Sequence, residues 1–113
     1  MRSEGASRTA LKDALPYLVL DLESALAHIG RGDVVDQLRE VTIERWTYDE
    51  LADAAYLHFT ANARNATEPS GETVSVYDEL GINLDTDSQG RLIGMEILGG
   101  SAIVWQLEAG TAA

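Results

Sequence analysis

The chain contains no cysteine. Disulfides, thiolate metal sites and cysteine nucleophiles are therefore excluded outright, and the absence fits a reducing cytoplasm. Histidine is almost as scarce. His28 and His58 are the only two, too few for a zinc site without carboxylate help. Long apolar runs are missing too. The longest, Ala14-Leu15-Pro16-Tyr17-Leu18-Val19-Leu20, falls far short of the roughly 20 residues a spanning helix needs, and Asp21 and Glu23 follow it. Arg2, Arg8 and Lys12 precede that run in the manner of a signal peptide, but no small-residue cleavage site comes before the carboxylates. A cytoplasmic protein is expected.

Positive charge is the other shortage, with 8 basic residues against 19 acidic ones and a net charge of −11. The deficit is concentrated beyond Trp46, where only Arg64 and Arg91 oppose the carboxylates. Nucleic acid and anionic membranes are bound by Lys and Arg that release counterions, so direct nucleic-acid binding by the C-terminal part is not expected. A basic protein partner would be attracted, although solubility alone also favours such a surface. No phosphate-cradling glycine loop is present. Gly99-Gly100-Ser101-Ala102-Ile103 lacks the trailing glycine of a nucleophile elbow. Asn65-Ala66-Thr67 matches a glycosylation sequon, for which chance is the better account in a cytoplasmic chain.

What is present is enough for one small domain. The 113 residues are 45% apolar, sufficient for a core, though a chain this short buries only about 65% of its unfolded surface. Met1 to Arg8 is polar and reads as frayed. From Leu11 the apolar residues Leu11, Leu15, Leu18, Leu22, Leu26 and Ile29 recur at three and four, the spacing of an amphipathic helix. Pro16 is tolerated only in a first turn, which places the N-cap at Asp13. Gly30-Arg31-Gly32 ends this helix, and Asp33 caps a shorter one, Val34 to about Glu40, that buries Val35 and Leu38. With Arg39 as its only base, beside Asp33, Asp36 and Glu40, that second helix is a poor groove reader, and packing is the plainer role.

From Val41 the period becomes two. Val41 to Tyr48 and Asp53 to Thr60 read as strands joined by the turn Asp49-Glu50-Leu51-Ala52. In the second strand Ala55, Leu57 and Phe59 share one face and Tyr56, His58 and Thr60 the other. Ala61 to Glu72 reads as a loop. Thr73 to Tyr77, Leu80 to Asp87 and Arg91 to Leu98 read as further strands, while Ser101 to Leu107 is left open between an edge strand and a short helix. The expected fold is α+β: an N-terminal αα-hairpin (residues 1–40) packed on an antiparallel β-meander of four to five strands (41–113), forming one compact unit.

Tyr48-Asp49-Glu50-Leu51-Ala52-Asp53-Ala54-Ala55-Tyr56-Leu57, then Leu84-Asp85, Gly90-Arg91 and Gly94-Met95-Glu96-Ile97-Leu98 resemble the bacterial and phage family called domain of unknown function 2283. Its pattern runs roughly Tyr-Asp, Ala-Asp-Ala-x-Tyr, then Asp, Gly-Arg and Gly-x-Glu-Ile-Leu, and the likeness covers about residues 46–100. Met95, where the family more often has Ile, departs from it. The resemblance implies no catalytic residues. It hints at a partner-binding role, because some members look like one half of small two-gene, toxin–antitoxin-like pairs.

Three constellations invite a chemical reading. Asp85-x-Asp87-x-Gln89-Gly90, followed by Glu96, fits the EF-hand spacing except at Gln89. The same residues also make a hairpin loop with Gly90 in the left-handed position. In that register Asp87 faces Arg91, Thr86 faces Leu92, Asp85 faces Ile93, Leu84 faces Gly94 and Ile82 faces Glu96. Asp85 and Asp87 then lie on one side and Glu96 on the other, so calcium is rejected. Both faces of that hairpin come out apolar, with Ile82, Leu84, Leu92 and Leu98 around Glu96 on one and Ile93, Met95 and Ile97 on the other. A helical hairpin covers one face, and a homodimer is the simplest cover for the second. Glu96 would then sit among aliphatic residues and need Arg45, His58 or a tyrosine hydroxyl, either as a structural hydrogen bond or as a raised-pKa general acid.

Asp49 and Asp53 bracket the first turn, as paired acid/base carboxylates or, more cheaply, as turn caps. Trp46, Tyr48 and Tyr56 are candidates for an aromatic ligand patch, though residues of this kind more often belong to the core. The speculative cluster is therefore Tyr48, Asp49, Asp53, Tyr56, His58 and Glu96. No cofactor or metal is expected. The leading expectation is a non-catalytic protein-interaction module, the acidic antitoxin-like half of a two-gene pair whose partner is encoded nearby. The alternative is a small acid/base enzyme or ligand binder using Glu96, His58 and Tyr56.

Overall fold

A computed structural model describes residues 2–59, 70–77 and 81–112. The fold is α+β, a six-stranded antiparallel sheet with helices on one side. In chain order the elements are β1 (Arg2–Ala10), α1 (Leu11–Ala14), α2 (Pro16–His28), α3 (Gly32–Leu38), β2 (Thr42–Asp49), β3 (Ala54–Phe59), β4 (Ser70–Tyr77), β5 (Gly81–Asp87), β6 (Leu92–Leu98), a 3₁₀ turn (Gly100–Ala102) and α4 (Val104–Ala112). The strand order is β1-β2-β3-β6-β5-β4, so the chain leaves β3 for the far edge and returns through two hairpins to set β6 beside β3. Sheet and helices bury one shared apolar cluster.

Several expectations are corrected. The N-terminal residues are not frayed, because Arg2–Ala10 pairs antiparallel with β2. Their polar sequence has no alternation to reveal a strand; the pairing comes from the backbone of β2, whose edge they cover. The first helix is two. Leu15, not Asp13, is the N-cap of α2, and Pro16 occupies the first helical position, where its missing amide costs nothing. The buried stripe runs Leu11, Leu15, Val19, Leu22 and Leu26, so Val19 takes the place expected of Leu18, while Ile29 is exposed. Gly30 does take the left-handed conformation that ends the helix. Asp33 lies in the first turn of α3 instead of capping it, and its carboxylate holds Arg31. Val34, Val35 and Leu38 are buried from that helix. Ser101 to Leu107 proves helical, with Ile103 and Leu107 buried. The loop expected over residues 61–72 lies mostly outside the described residues, as does Thr60, and Ser70 to Glu72 belong to β4.

The most consequential correction is a register shift in the β5–β6 hairpin. Thr86 faces Leu92 as expected, but Asp85 then faces Gly94, Leu84 faces Met95, Asn83 faces Glu96 and Ile82 faces Ile97. Ile93 is the extra residue of a β-bulge, which moves every later β6 side chain to the opposite face. A second irregularity at Glu44 keeps both Ile43 and Trp46 on the core side of β2. The sheet therefore has one apolar face. Ile43, Trp46, Ala55, Leu57, Phe59, Val74, Val76, Ile82, Leu84, Leu92, Met95 and Ile97 are buried beneath the helices. At about 1.5–3 kcal/mol for each fully buried large side chain, this face is the main source of stability. Among the described residues the other face is mainly polar, with Leu98 exposed upon it, so the second apolar surface on which a dimer was expected is not found there.

Candidate functional site

The open face is organised by Tyr56. Along β3 the alternation sends Ala55, Leu57 and Phe59 inward and Tyr56 and His58 outward. Across β6, Tyr56 pairs with Glu96 and His58 with Gly94. Gly94 has no side chain, so the Tyr56 ring lies across it and reaches the next strand, where the hydroxyl donates to Asp85 Oδ2 at 2.6 Å. Thr73 of β4 donates to the other Asp85 oxygen at 2.8 Å. A parallel row runs beside it, in which Ser75 Oγ donates to Asn83 Oδ1 at 2.8 Å and Asn83 Nδ2 donates to Glu96 Oε1 at 2.9 Å. Four strands are thus laced together by side chains on one surface.

Burial and the Asp85 hydrogen bond hold the Tyr56 phenol well above its ordinary pKa, with the charges of Asp85 and Glu96 adding to the effect. The His58 ring meets that of Tyr56 at a tilt of 58°, with ring centroids 4.7 Å apart. Burial, then the neighbouring positive charge of Arg45, pushes its pKa below the usual histidine value, and Glu44 opposes this. At neutral pH the pair is a neutral imidazole against a neutral phenol whose proton is committed to a carboxylate. That arrangement holds a shape and offers no activated nucleophile.

The sequence-derived cluster divides in two. Tyr56, His58 and Glu96 share the open face. Glu96 is not surrounded by aliphatic residues, because the bulge brings it to the polar side, and its partner is Asn83, none of those expected. Tyr48, Asp49 and Asp53 belong to the β2–β3 turn at one end of the sheet. Asp49 caps that turn through the Leu51 amide at 3.0 Å. Asp53 stands in the left-handed region at φ 49°. Its carbonyl accepts from the Gly99 and Gly100 amides, and its carboxylate from Tyr48 Oη at 2.7 Å and the Ser101 amide at 2.8 Å. The Tyr48 hydrogen bond is the main reason its pKa lies below the carboxylate norm, and the same bond raises that of Tyr48. Asp53, held by Tyr48, ties the turn to the start of the C-terminal helical segment.

The sequence-derived cluster lacks Asp85, Asn83, Thr73, Ser75 and Gly94, although Asp85 enters the calcium spacing and Asp85 and Gly94 the family motif. A glycine inside a strand pattern was the available signal, since it often marks a close approach by another group. The calcium spacing fails for a different reason from the one expected. Asp85 and Glu96 do share a face, but Asp87 is spent on its own loop, accepting from the Gln89 and Arg91 amides at 2.9 Å and from Arg91 Nε at 2.7 Å. Burial alone would raise the Asp87 pKa, and these bonds outweigh it and lower it. Among the described residues no three metal-ligating side chains converge, and no helix is long and apolar enough to cross a membrane.

The motif residues thus meet in two sets, Tyr48 with Asp53 at the β2–β3 turn and Tyr56 with Gly94 and Asp85 on the open face. A family model described as "Protein of unknown function (DUF2283)" matches residues 45–101, half of the chain. The chain belongs to the DUF2283 family. No curated protein and no solved structure gives a significant match. Within DUF2283, the matched segment of this chain spans β2 to the 3₁₀ turn, so β1 and the helices α1–α3 that cover the core face come from sequence before the matched stretch.

Proposed function

We propose that this DUF2283 protein is a non-catalytic, cytoplasmic protein-interaction module, the acidic antitoxin-like half of a two-gene pair. The observation that carries it is the condition of the open sheet face. Its side chains Tyr56, Asp85, Thr73, Ser75, Asn83 and Glu96 are hydrogen-bonded to one another, and among the described residues no buried side-chain polar atom lacks a partner. Catalysis calls for a concave site with groups whose protons are free to move. Recognition of a protein needs only a stable, chemically patterned surface, and a net charge of −11 favours a basic one.

The competing reading is a small acid/base enzyme or ligand binder using Glu96, His58 and Tyr56. In its favour is the tilted ring contact of His58 with Tyr56, 4.7 Å between centroids, on the same face as Glu96. Against it stands the commitment of the Tyr56 proton to Asp85. Self-association belongs to the proposal as well. Its support no longer comes from a second sheet face but from exposed apolar side chains elsewhere, chiefly Tyr17 and Leu20 on α2 and Trp105 on α4.

Co-expression with the product of the adjacent gene tests the pairing. Co-purification as a stoichiometric complex, with relief of any toxicity of the neighbour, is expected. A chain that purifies alone and leaves the neighbour's toxicity unchanged would overturn it. Solution mass tests the dimer against the 12.2 kDa monomer.

A further inference from the structure

We propose that the groove between α2 and the outer edge of β4 receives an extended, basic peptide segment of a partner protein as a seventh strand. This deepens the interaction reading by naming where and how the partner docks.

The two edges of the sheet are treated differently. At one edge β1 carries an irregularity between Ala6 and Thr9, and α4 packs against it. Both devices discourage a further strand. At the other edge, β4 pairs with β5 on one side only, and among the described residues nothing pairs with its outer side. Its single irregularity lies at the Ser70–Glu72 end. The central run Thr73-Val74-Ser75-Val76 contains no lysine and no proline, the usual blockers of an open edge. Unpaired amides and carbonyls in such a run call for a complementary backbone, which an extended peptide supplies.

The groove beside this edge is built for the other flank of that peptide. Its volume is about 570 Å³, and Ser75 and Val76 form its β4 wall. Ala25 and Ile29 of the α2 side give it an apolar floor together with Val76. The remaining α2 side chains lining it are Asp21, Ser24 and His28. Spacings of three and four put these on one helical face. All three are exposed, and no side-chain hydrogen bond holds any of them among the described residues. An added strand would find backbone partners on β4 and side-chain acceptors and a donor on α2. Alternate residues of the strand would rest on Ala25, Ile29 and Val76, which favours aliphatic side chains there. Asp21 lies on the same side as these and favours lysine or arginine at an inward position at the end of the aliphatic pair, as does the acidity of the whole chain.

The test uses the full chain and a capped heptapeptide with valine at its two central inward positions, lysine at the inward positions at either end and threonine between them, followed by amide NMR. Expected are shifts confined to Val74, Ser75, Val76, Ala25 and Ile29, and binding at least about tenfold weaker for Asp21→Lys, where like charges are opposed. Loss of binding on N-methylation of alternate peptide amides is also expected, since this removes the ladder. Ser24→Arg, an exposed position that plugs the groove without touching the core, should abolish binding while leaving the unfolding midpoint unchanged. Shifts centred on Tyr56 and His58, equal binding of the N-methylated peptide, or no binding at all would overturn the proposal. So would self-association lost in Ser24→Arg, which would give the groove to a second copy. The adjacent-gene complex separates this proposal from the function it rests on. A complex that tolerates both substitutions would keep the interaction module and remove the groove. Peptide binding in the groove with no adjacent-gene complex would do the reverse.

Discussion

Tyr56 reaches Asp85 across an intervening strand because Gly94 leaves the space for its ring. A Cβ at position 94 would overlap the Tyr56 hydroxyl and the adjoining ring carbons. Gly94→Ala should therefore displace the ring, break the bond to Asp85 and cost about 1–3 kcal/mol, the usual range for overpacking. An alanine in a strand is otherwise better than a glycine. In a Tyr56→Ala background the same substitution should thus become neutral or slightly stabilising. Urea unfolding of the four proteins in this cycle checks it, and equal costs in both backgrounds would show that the ring and residue 94 are uncoupled.

Asp53 combines an unfavourable backbone angle with five accepted hydrogen bonds, from the Gly99 and Gly100 amides, the Tyr48 hydroxyl, and the Ser101 amide and hydroxyl. Asn tolerates the left-handed region and keeps one acceptor oxygen, whereas Ala keeps neither advantage. Asp53→Ala should destabilise by about 1–3 kcal/mol and Asp53→Asn by clearly less. Loss of protection at the Ser101 amide, read by hydrogen exchange, should accompany the Ala variant and be partial in the Asn variant.

How much of this could be read from the sequence follows from what each signal encodes. Periodicity located α2, α3 and the cores of β2 to β6, because burial on one side leaves an alternation that needs no knowledge of neighbours. It also put Ala55, Leu57 and Phe59 opposite Tyr56 and His58. It could not reveal β1, whose residues pair through backbone and carry no apolar pattern. Nor could it locate the bulge at Ile93, since Leu92-Ile93-Gly94-Met95 suits either register by composition. That one extra residue decides whether Glu96 is buried or joins Asn83 on the open face. The cluster was half legible for the same reason. Tyr56 and His58 follow from a strand read alone, while Asp85, Asn83, Thr73 and Ser75 follow only from strand order and register, which are long-range facts.

Gln37 binds α3 to the β5–β6 hairpin as a strand would. Its Oε1 accepts from the Leu92 amide at 2.7 Å and its Nε2 donates to the Gly90 carbonyl at 2.8 Å. Leu92 is fully buried, so its amide has no ready replacement partner. Gln37→Ala should cost about 1–3 kcal/mol, the penalty for an orphaned buried donor. Gln37→Glu keeps the acceptor for Leu92 and loses only the donor to Gly90, so it should fall between wild type and Ala. Identical unfolding midpoints for Glu and Ala would place the interaction's value at Gly90 instead.

Acid should weaken the fold in two separable steps. His58 has a folded pKa below its unfolded value of about 6.5, so folding favours the neutral ring. Its contribution is complete above that pH and is lost as pH falls below it, because the unfolded chain then binds the proton more readily. Asp53 and Asp87 also have lowered folded values, and their contributions are complete above about 3.9 and lost below it. Urea midpoints measured from pH 8 to pH 3 should therefore decline first below about 6.5 and again below about 3.9. His58→Gln should remove the first decline and leave the second. Asp87→Asn should lower stability at neutral pH, where the Arg91 bonds are lost, and flatten the second decline. A wild-type midpoint that rises as pH drops from 7 to 5 would mean that His58 is stabilised in its charged form. Glu44 would then outweigh burial and Arg45, opposite to the balance described for this face.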